Sequence, residues 1–243
     1  KISRIIYKIA KTISVIRNLI TPIEHKLVKN NKQKTDLEKR LDENLVEETF
    51  QNFKEHFKTS VLFSTIERIR EYAITTAVKN DINKEYYYLE FGVYKGNSAN
   101  FFSKYVNKLY AFDGFEGLRE DWIGFPNHPS GILDLGKKIP KLNKNVEPVA
   151  GWVEDTLEDF LKKHNPKVNF VHLDMDLYSP SKFTLEKLKP YLVKGAIIIF
   201  DELYNYIGWE HGEYKALKEV FNDGEFEYKA FHIKDRKTVI QIK

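Results

Sequence analysis

The sequence predicts an α/β fold, a doubly wound and mostly parallel sheet of seven strands that ends in an antiparallel hairpin and follows a helical extension. Two observations carry this prediction. Five short apolar segments alternate with helical stretches after residue 85, and such alternation builds βαβ units whose parallel sheet is covered on both faces. Near the C-terminus, FEYKAFHI and KTVIQIK alternate polar and apolar residues around a short KDR connection, which is typical of a hairpin.

The chain divides by pattern into a predicted N-terminal helical extension, residues 1–60, and a main domain, residues 61–243. Isoleucines recur at helical spacing over residues 1–20 with lysines and arginines between them, which predicts a basic amphipathic helix. Such a helix can bind a membrane surface, pack on its own domain or pack on a second subunit; we favour protein, including a homo-oligomer, over peripheral membrane contact. Two further helices are predicted, over residues 37–57 and 65–79.

The composition excludes several classes of function. The 243 residues carry 39 lysines and arginines against 35 acidic residues, so the surface is mixed and a nucleic-acid partner is not favoured. The chain has no cysteine, which excludes disulfides, thiolate nucleophiles and cysteine-bound zinc. No apolar run is long enough to cross a bilayer, and we expect a cytoplasmic protein. The sequence starts at Lys1, which leaves open where the native N-terminus lies.

The segment LEFGVYKGNSA, residues 89–99, is typical of a strand, a glycine-containing turn and the start of a helix. A dinucleotide motif would need glycines at Tyr94 and Asn97, so that pattern is absent. A P-loop would need lysine and then a hydroxyl residue after its last glycine, whereas Asn97 and Ser98 follow Gly96. The turn therefore suits a ligand other than a dinucleotide or a nucleoside triphosphate.

What remains is an acid and two glycines at the carboxyl end of the first sheet strand, where open α/β sheets bind ligands. This pattern suits an adenosyl group without phosphates, because glycine allows close approach and the first amides of a helix can receive a carboxylate. Glu90 could help to bind a cationic amino group. The alternative is a turn in which the glycines are needed only for close packing of the backbone and bind no ligand. The predicted ligand-binding residues are Glu90, Gly92, Tyr94, Gly96 and Ser98.

The next two strands offer residues for the rest of an adenosyl ligand. Asp113 ends the second strand about 20 residues after the glycine turn, where an acid can accept from both ribose hydroxyls, and Gly114 follows it. Asp113 could instead form an Asx turn. After the third strand, Gly151 and Trp152 could flank the adenine ring, although Trp152 could equally belong to the core.

Five ordered motifs, LEFGVYKGNSA, FDGFEGLREDW, GWVEDTL, HLDMDLYSPS and GAIIIFDELYNYIGWEHGEYKA, together resemble the macrocin-O-methyltransferase-like class I methyltransferases. The resemblance covers residues 64–216. It implies a Rossmann-like fold, S-adenosylmethionine as cofactor, and methylation of hydroxyl groups, often on sugars of natural products, with a divalent cation. The paired acids after the fifth strand are often Asp-Asp in that family, whereas here they are Asp201 and Glu202, which leaves the metal less certain.

Four carboxylates follow two predicted neighbouring strands and should converge at one sheet edge. Oxygen ligands of this kind suit magnesium, manganese or calcium, so we predict a divalent cation, with magnesium as the favoured ion, on Asp174, Asp201 and Glu202. Asp174 would also border the cofactor and contribute to catalysis, and Asp176 is the predicted base. Helix capping and surface solvation are the alternative explanation for these acids. His211 is a second candidate base, although a lone loop histidine is more often a surface residue.

The segment 115–142, with Trp122 and Phe125, is longer than an ordinary connection between a strand and a helix, and it could be a lid. Its aromatic rings could stack on a sugar or aromatic acceptor, or anchor the segment to the core.

We therefore expect an S-adenosylmethionine-dependent O-methyltransferase, metal-assisted, that acts on a sugar, a natural product or another small hydroxylated molecule. A metal-independent or N-methylating enzyme of the same fold remains open. A nucleoside-binding or assembly module without catalysis also remains open, although the intact acid set argues against it.

Overall fold

The computed structural model describes residues 34–243. Residues Leu45–Lys243 form one compact unit, and residues 34–44 lie outside it. The first described helix, α1, begins with a capping box in which Thr35 and Glu38 exchange hydrogen bonds of 3.2 and 2.7 Å between side chains and backbone amides. The amphipathic helix predicted for residues 1–20 lies outside the described residues, and the domain boundary at residue 60 stays a prediction.

Helices and strands alternate along the described chain. The α-helices are α1 (Asp36–Thr59), α2 (Ile66–Asn80), α3 (Asn97–Phe102), α4 (Val153–His164), α5 (Tyr178–Leu188) and α6 (Glu213–Val220). The strands are β1 (Val61–Phe63), β2 (Tyr87–Phe91), β3 (Leu109–Asp113), β4 (Val146–Ala150), β5 (Val168–Leu173), β6 (Leu192–Phe200), β7 (Phe226–His232) and β8 (Thr238–Ile242). Two single-turn 3-10 helices complete the set, Lys189–Tyr191 and Trp209–His211.

One sheet of eight strands has the order β1-β7-β8-β6-β5-β2-β3-β4. Only β8 runs antiparallel to its neighbours, β6 and β7, so the predicted parallel strands and the terminal hairpin are confirmed. The prediction of seven strands misses β1, which pairs in parallel with β7 at the sheet edge. A strand of three residues has no periodicity of its own to detect, and its pairing with residues near position 230 is set by tertiary packing alone.

Apolar residues cover both faces of the sheet. All six residues of β5 are buried, as expected for a central strand between parallel neighbours. In β6, Ile198 and Phe200 join a core with Leu157 of α4 and Leu185 of α5, whereas Ile197 and Ile199 join a core with residues of α2 and α3. Because β2, β3, β5 and β6 pair in parallel, their carboxyl ends lie at one edge of the sheet.

The segment between β3 and β4 contains no helix or regular strand, and a single bridge pairs Glu116 with Asp134. None of the described helices is both long enough and apolar enough to cross a membrane.

Candidate active site

The glycine turn after β2 lies directly against the end of β5. Gly92 has a positive φ of 87°, and a Cβ atom added to it would lie 1.6 Å from the carbonyl oxygen of Asp174. Gly96, with φ of 77°, immediately precedes α3, and a Cβ there would lie 2.6 Å from the Leu142 side chain. Both positions therefore require glycine, and the first brings the turn next to an acid-bearing strand end.

Asp113 holds the glycine turn in place. Its Oδ2 accepts hydrogen bonds from the amides of Val93 and Tyr94 at 2.7 and 2.8 Å, and its Oδ1 accepts from the Phe115 amide at 2.6 Å. A carboxylate has about four lone-pair sites, so Asp113 can still accept a further hydrogen bond beside these three. Asp113 also lines the cavity beside the turn, where its binding to ribose stays a prediction.

A cavity opens at the carboxyl edge of the sheet, and it brings together a large part of the predicted site. The predicted residues in its wall are Gly92, Tyr94, Asp113, Gly114, Gly151, Trp152, Asp174 and Asp176. The Trp152 ring lies 3.2 to 3.4 Å from the position that a Cβ would take on Gly114, so it packs against this turn.

The wall also contains residues that the sequence analysis missed, among them Arg119, Leu133, Met175, Leu177 and Ser179. The guanidinium of Arg119 lies 4.0 Å from the centroid of the Trp152 ring, which is a cation–π geometry. No local pattern marks Arg119, because it belongs to an irregular segment.

Six predicted residues are not part of the cavity wall: Glu90, Gly96, Ser98, Asp201, Glu202 and His211. Glu90 is fully buried within β2, where its Oε1 bonds to His172, and its Oε2 has no hydrogen-bond partner among the described residues. Ser98 is buried in the first turn of α3. His211 is exposed at the end of its 3-10 turn. The structure thus groups Glu90 with an interior network and gives His211 a surface environment.

His172 connects two acids in a network that we call the charge-paired cluster: Glu90, Asp201, Arg70, His172 and Lys237. Its Nδ1 lies 2.9 Å from Glu90 Oε1, and its Nε2 lies 3.2 Å from Asp201 Oδ1. Burial opposes the charged imidazole, but the hydrogen bonds to Asp201 and Glu90 outweigh it and raise the pKa of His172 to about 9. The ring is therefore an imidazolium that binds a carboxylate on either side.

Asp201 has two more cationic partners. Its Oδ1 accepts from Arg70 at 3.2 Å, and its Oδ2 lies 3.0 Å from the Lys237 ammonium. Burial acts to raise its pKa, but the His172 hydrogen bond and the charges of Lys237 and Arg70 hold that pKa well below its usual range. Asp201 was predicted as a metal ligand, and here both of its oxygens already face cations.

Four other acids form what we call the acid cluster: Asp174, Asp176, Glu202 and Glu213. One carboxylate oxygen from each of Asp174, Asp176 and Glu202 lies within 4.8 Å of the other two. Glu202 Oε2 is buried without a hydrogen-bond partner among the described residues, and its Oε1 lies 3.9 Å from Arg236 Nε. Among the described residues, no cation lies within 4.0 Å of the carboxylates of Asp174, Asp176 or Glu213, although the charges of His172 and Arg70 act on Asp174 from farther away.

The acid cluster has the protonation behaviour of crowded carboxylates. Burial, together with the charge of Asp201, raises the pKa of Asp174 to about 7. Burial and the charge of Asp174 raise the pKa of Glu213 to about 8, and the pKa values of Asp176 and Glu202 also rise well above their usual range. An unpartnered oxygen and a set of crowded oxygen donors fit a hard divalent cation such as magnesium.

The sequence analysis did not identify His172 or Glu213 as part of the site. His172 lies in β5, two positions before Asp174. In an extended chain, residues two positions apart point to the same face, so this spacing could have indicated that His172 belongs to the site. Glu213 follows an irregular segment, and no local signal predicts that its carboxylate is fully buried.

The aromatic residues of segment 115–142 pack on the protein. The Trp122 and Phe125 rings stack with centroids 4.0 Å apart, and each contacts Tyr206 edge to face. A Cβ on Gly124 would lie 2.0 Å from the Ile207 carbonyl oxygen, so the segment approaches residues 206–207 closely. Of the two roles considered for these rings, anchoring is the one that these contacts support.

Comparison with known proteins identifies the fold and the domain. Residues 89–203 match the family described as a methyltransferase domain. The chain is similar to a crystal structure of CalS11, a calicheamicin methyltransferase, with a TM-score of 0.59 and 18% identity over 86% of this chain and 94% of that one. An apo structure of CalS11, described as a TDP-rhamnose 3'-O-methyltransferase, gives 0.51 and 18% over 86% and 96%. No curated protein matches the chain in sequence.

The matched domain extends from β2 to just beyond β6, so it contains the glycine turn, Asp113, Trp152 and three members of the acid cluster. The fold shared with CalS11 places these features at the carboxyl edge of one parallel sheet. The chain thus contains a methyltransferase domain on the Rossmann-like fold that its motifs predicted.

Proposed function

We propose that this methyltransferase is an O-methyltransferase that transfers the methyl group of S-adenosylmethionine to a hydroxyl of a sugar or another small hydroxylated molecule, with the help of a divalent cation. The observation that carries the proposal is the position of the acid cluster beside the glycine turn. The backbone of Gly92 in that turn packs against the carbonyl oxygen of Asp174, a member of the cluster. CalS11, which is described as a TDP-rhamnose 3'-O-methyltransferase, supports a sugar as acceptor.

The cofactor would lie along the cavity with its parts assigned to three strand ends. We assign the amino-acid part to the turn of residues 92–98, the ribose to Asp113 and the adenine to Gly151 and Trp152. Residues 92–94 of that turn, Asp113, Gly151 and Trp152 belong to the cavity wall. Glu90 Oε2, buried and without a described partner, supports a polar contact in this region.

Methyl transfer from a sulfonium is an in-line displacement, so the protein must align a hydroxyl and accept its proton. We assign the proton to a carboxylate oxygen of Asp176, because its side chain is buried in the cavity wall and its raised pKa makes it a stronger base than an ordinary carboxylate. A bound divalent cation would supply stabilisation of the developing alkoxide. Asp176 thus moves the proton, and the wall of the cavity excludes water.

The cation would be held by Asp174 and Glu202, which belong to one group of close carboxylate oxygens. Asp201 stays a predicted ligand from its position after β6, but three cations already occupy its oxygens. We therefore give Asp201 a supporting role, in which His172, Arg70 and Lys237 keep it ionised next to the site.

The test is turnover of a nucleotide sugar or a small polyol panel with and without a chelator. EDTA should suppress turnover and leave the affinity for S-adenosylhomocysteine largely intact, and magnesium or manganese should restore turnover. Asp176→Asn should lose turnover while manganese still binds, which separates the base from the cation ligands. Full activity in EDTA, with no manganese bound to the wild type, would refute the metal role.

A further inference from the structure

Glu213 is the most enclosed member of the acid cluster, and it contacts two separate segments of the site. It is fully buried at the first position of α6. Its Oε2 accepts a hydrogen bond from the Glu202 amide at 3.1 Å, and its Oε1 accepts from the Met175 amide at 3.4 Å. One carboxylate therefore links the segment after β5 to the segment after β6.

The two amides that Glu213 binds belong to the backbone that carries the other three acids. Met175 lies between Asp174 and Asp176, so fixing its amide fixes the backbone of both neighbours. The second amide is that of Glu202 itself. The distance between these two segments determines whether the carboxylates of Asp174 and Glu202 can converge on one ion, and Glu213 spans that distance.

We propose that Glu213 is a positioning residue, which sets the spacing between the Asp174–Asp176 segment and Glu202 and thereby shapes the cation site. The inference rests on the proposed function, because it assigns a role toward the same cation. A rigid support of this kind is what ligand-bearing loops need, since small displacements of their carboxylates weaken metal binding.

The position of Glu213 explains how a buried acid can serve as such a support. It begins a helix, where the amide dipoles favour a negative charge. Gly212 precedes it, and a Cβ on that glycine would lie 2.1 Å from the Tyr206 hydroxyl, so the start of the helix is packed tightly. The backbone of Glu213 is therefore held by α6 while its side chain reaches the two loops.

The experiment compares two substitutions with a matched control in the full chain. Glu213→Gln has the same length but offers one acceptor oxygen, so one of the two amides loses its partner. Glu213→Asp keeps the charge but is shorter by one methylene. Glu219→Gln is the control, because Glu219 lies on the same helix, and its carboxylate pairs with Lys182 at the surface. The measurements are the manganese dissociation constant, the S-adenosylhomocysteine dissociation constant and the melting temperature in EDTA.

Both Glu213 variants should raise the manganese dissociation constant by about ten- to a hundredfold, the usual effect of removing a residue that orients metal ligands. The affinity for S-adenosylhomocysteine should stay unchanged. Glu213→Gln should melt lower in EDTA than the wild type because one buried amide loses its acceptor, so the manganese affinities are compared at a temperature where each variant is folded. Glu219→Gln should bind manganese as the wild type does.

Wild-type manganese affinity in both variants would overturn the proposal, and so would full rescue by Glu213→Asp, which would show that charge rather than position matters. If Glu213→Gln does not fold, Glu213→Asp alone carries the comparison. A wild type that binds no manganese refutes the cation in the proposed function and, with it, the role of Glu213. Wild-type manganese affinity in the Glu213 variants, with manganese bound to the wild type, refutes the role of Glu213 alone.

Discussion

Two groups of buried acids lie at the same edge of the sheet and differ in what faces them. In the charge-paired cluster, Asp201 alone has three cationic partners, Arg70, His172 and Lys237. In the acid cluster, four carboxylates lie near each other, and among the described residues the one ion pair is that of Arg236 with Glu202, at 3.9 Å. Asp201 thus has its charge balanced by cations of the chain, whereas the acids of the second group mainly face one another.

The difference separates structural from functional ionisable groups better than burial does. Both clusters are buried and both have strongly shifted pKa values, in opposite directions for Asp201 and Glu202. A carboxylate whose charge is balanced by the fold stabilises that fold. One whose charge is not balanced is destabilising until a ligand supplies the positive charge, which is the usual property of a binding site.

The largest expected effect comes from breaking the charge-paired cluster. Asp201→Asn leaves Arg70 and Lys237 buried opposite a neutral amide, and such a loss of one partner in a buried ionic network costs about 3–5 kcal/mol. Urea unfolding in EDTA measures this change in the free energy of unfolding. Asp223→Asn, which removes an exposed partner of Lys218, is the control and should change stability little. Equal stability of Asp201→Asn and the wild type would contradict the comparison.

Removing a charge from the acid cluster should have the opposite sign. Glu202→Gln removes one ionisable group from the crowded acids. In EDTA at pH 9, above the pKa values of Asp174 and Glu213, we expect the free energy of unfolding to rise by about 1 kcal/mol, which corresponds to about one pKa unit of relieved repulsion. The same variant should lose most of the stabilisation that magnesium gives to the wild type. Thermal melting with and without magnesium measures both effects. Destabilisation of this variant in EDTA as large as that of Asp201→Asn would remove the distinction between the clusters.

The pH dependence of stability sharpens the comparison further. Asp174 and Glu213, with pKa values of about 7 and 8, keep protons when folded at pH values where the unfolded chain has released them. The folded state then binds more protons, so the free energy of unfolding falls as pH rises from about 4 through 8. The contribution of His172 has the same sign: it is fully present below pH 6.5 and is lost as pH rises through about 9.

We therefore expect the melting temperature in EDTA to decline between pH 6 and 9, and saturating magnesium to reduce that decline because the ion replaces the protons of the acid cluster. Melting curves at constant ionic strength measure both series. A melting temperature that rises over this range would contradict the assigned protonation states.

The smallest effect is expected away from both clusters, at the cofactor end of the cavity. Arg119→Ala removes a cation–π contact with Trp152, which is worth about 0.5–1 kcal/mol at an exposed site. If this stack supports the adenine site, the affinity for S-adenosylhomocysteine should fall about two- to fivefold, as calorimetry can measure. Arg119→Lys should retain part of the contact. A loss of S-adenosylhomocysteine affinity larger than that of the acid-cluster variants would contradict the small contribution expected for this contact.

The sequence by itself determined the order of β2 to β8 and the position of the glycine turn, because these depend on local chemistry. Apolar runs of strand length identify the parallel strands, and the glycines at positions 92 and 96 identify backbone with positive φ. The convergence of Asp174 and Glu202 also followed, because carboxyl ends of neighbouring parallel strands share an edge.

Only the tertiary structure decided which acids have partners. Asp174 and Asp201 each follow an apolar strand, and nothing in their local sequence distinguishes them. Arg70, which pairs with Asp201, lies 131 positions from it along the chain. Glu213, which accepts a hydrogen bond from the Met175 amide, lies 38 positions from Met175. Charge balance depends on side chains that meet through packing of distant segments, so strand periodicity can place a carboxylate at the site but cannot predict whether a cation of the protein reaches it.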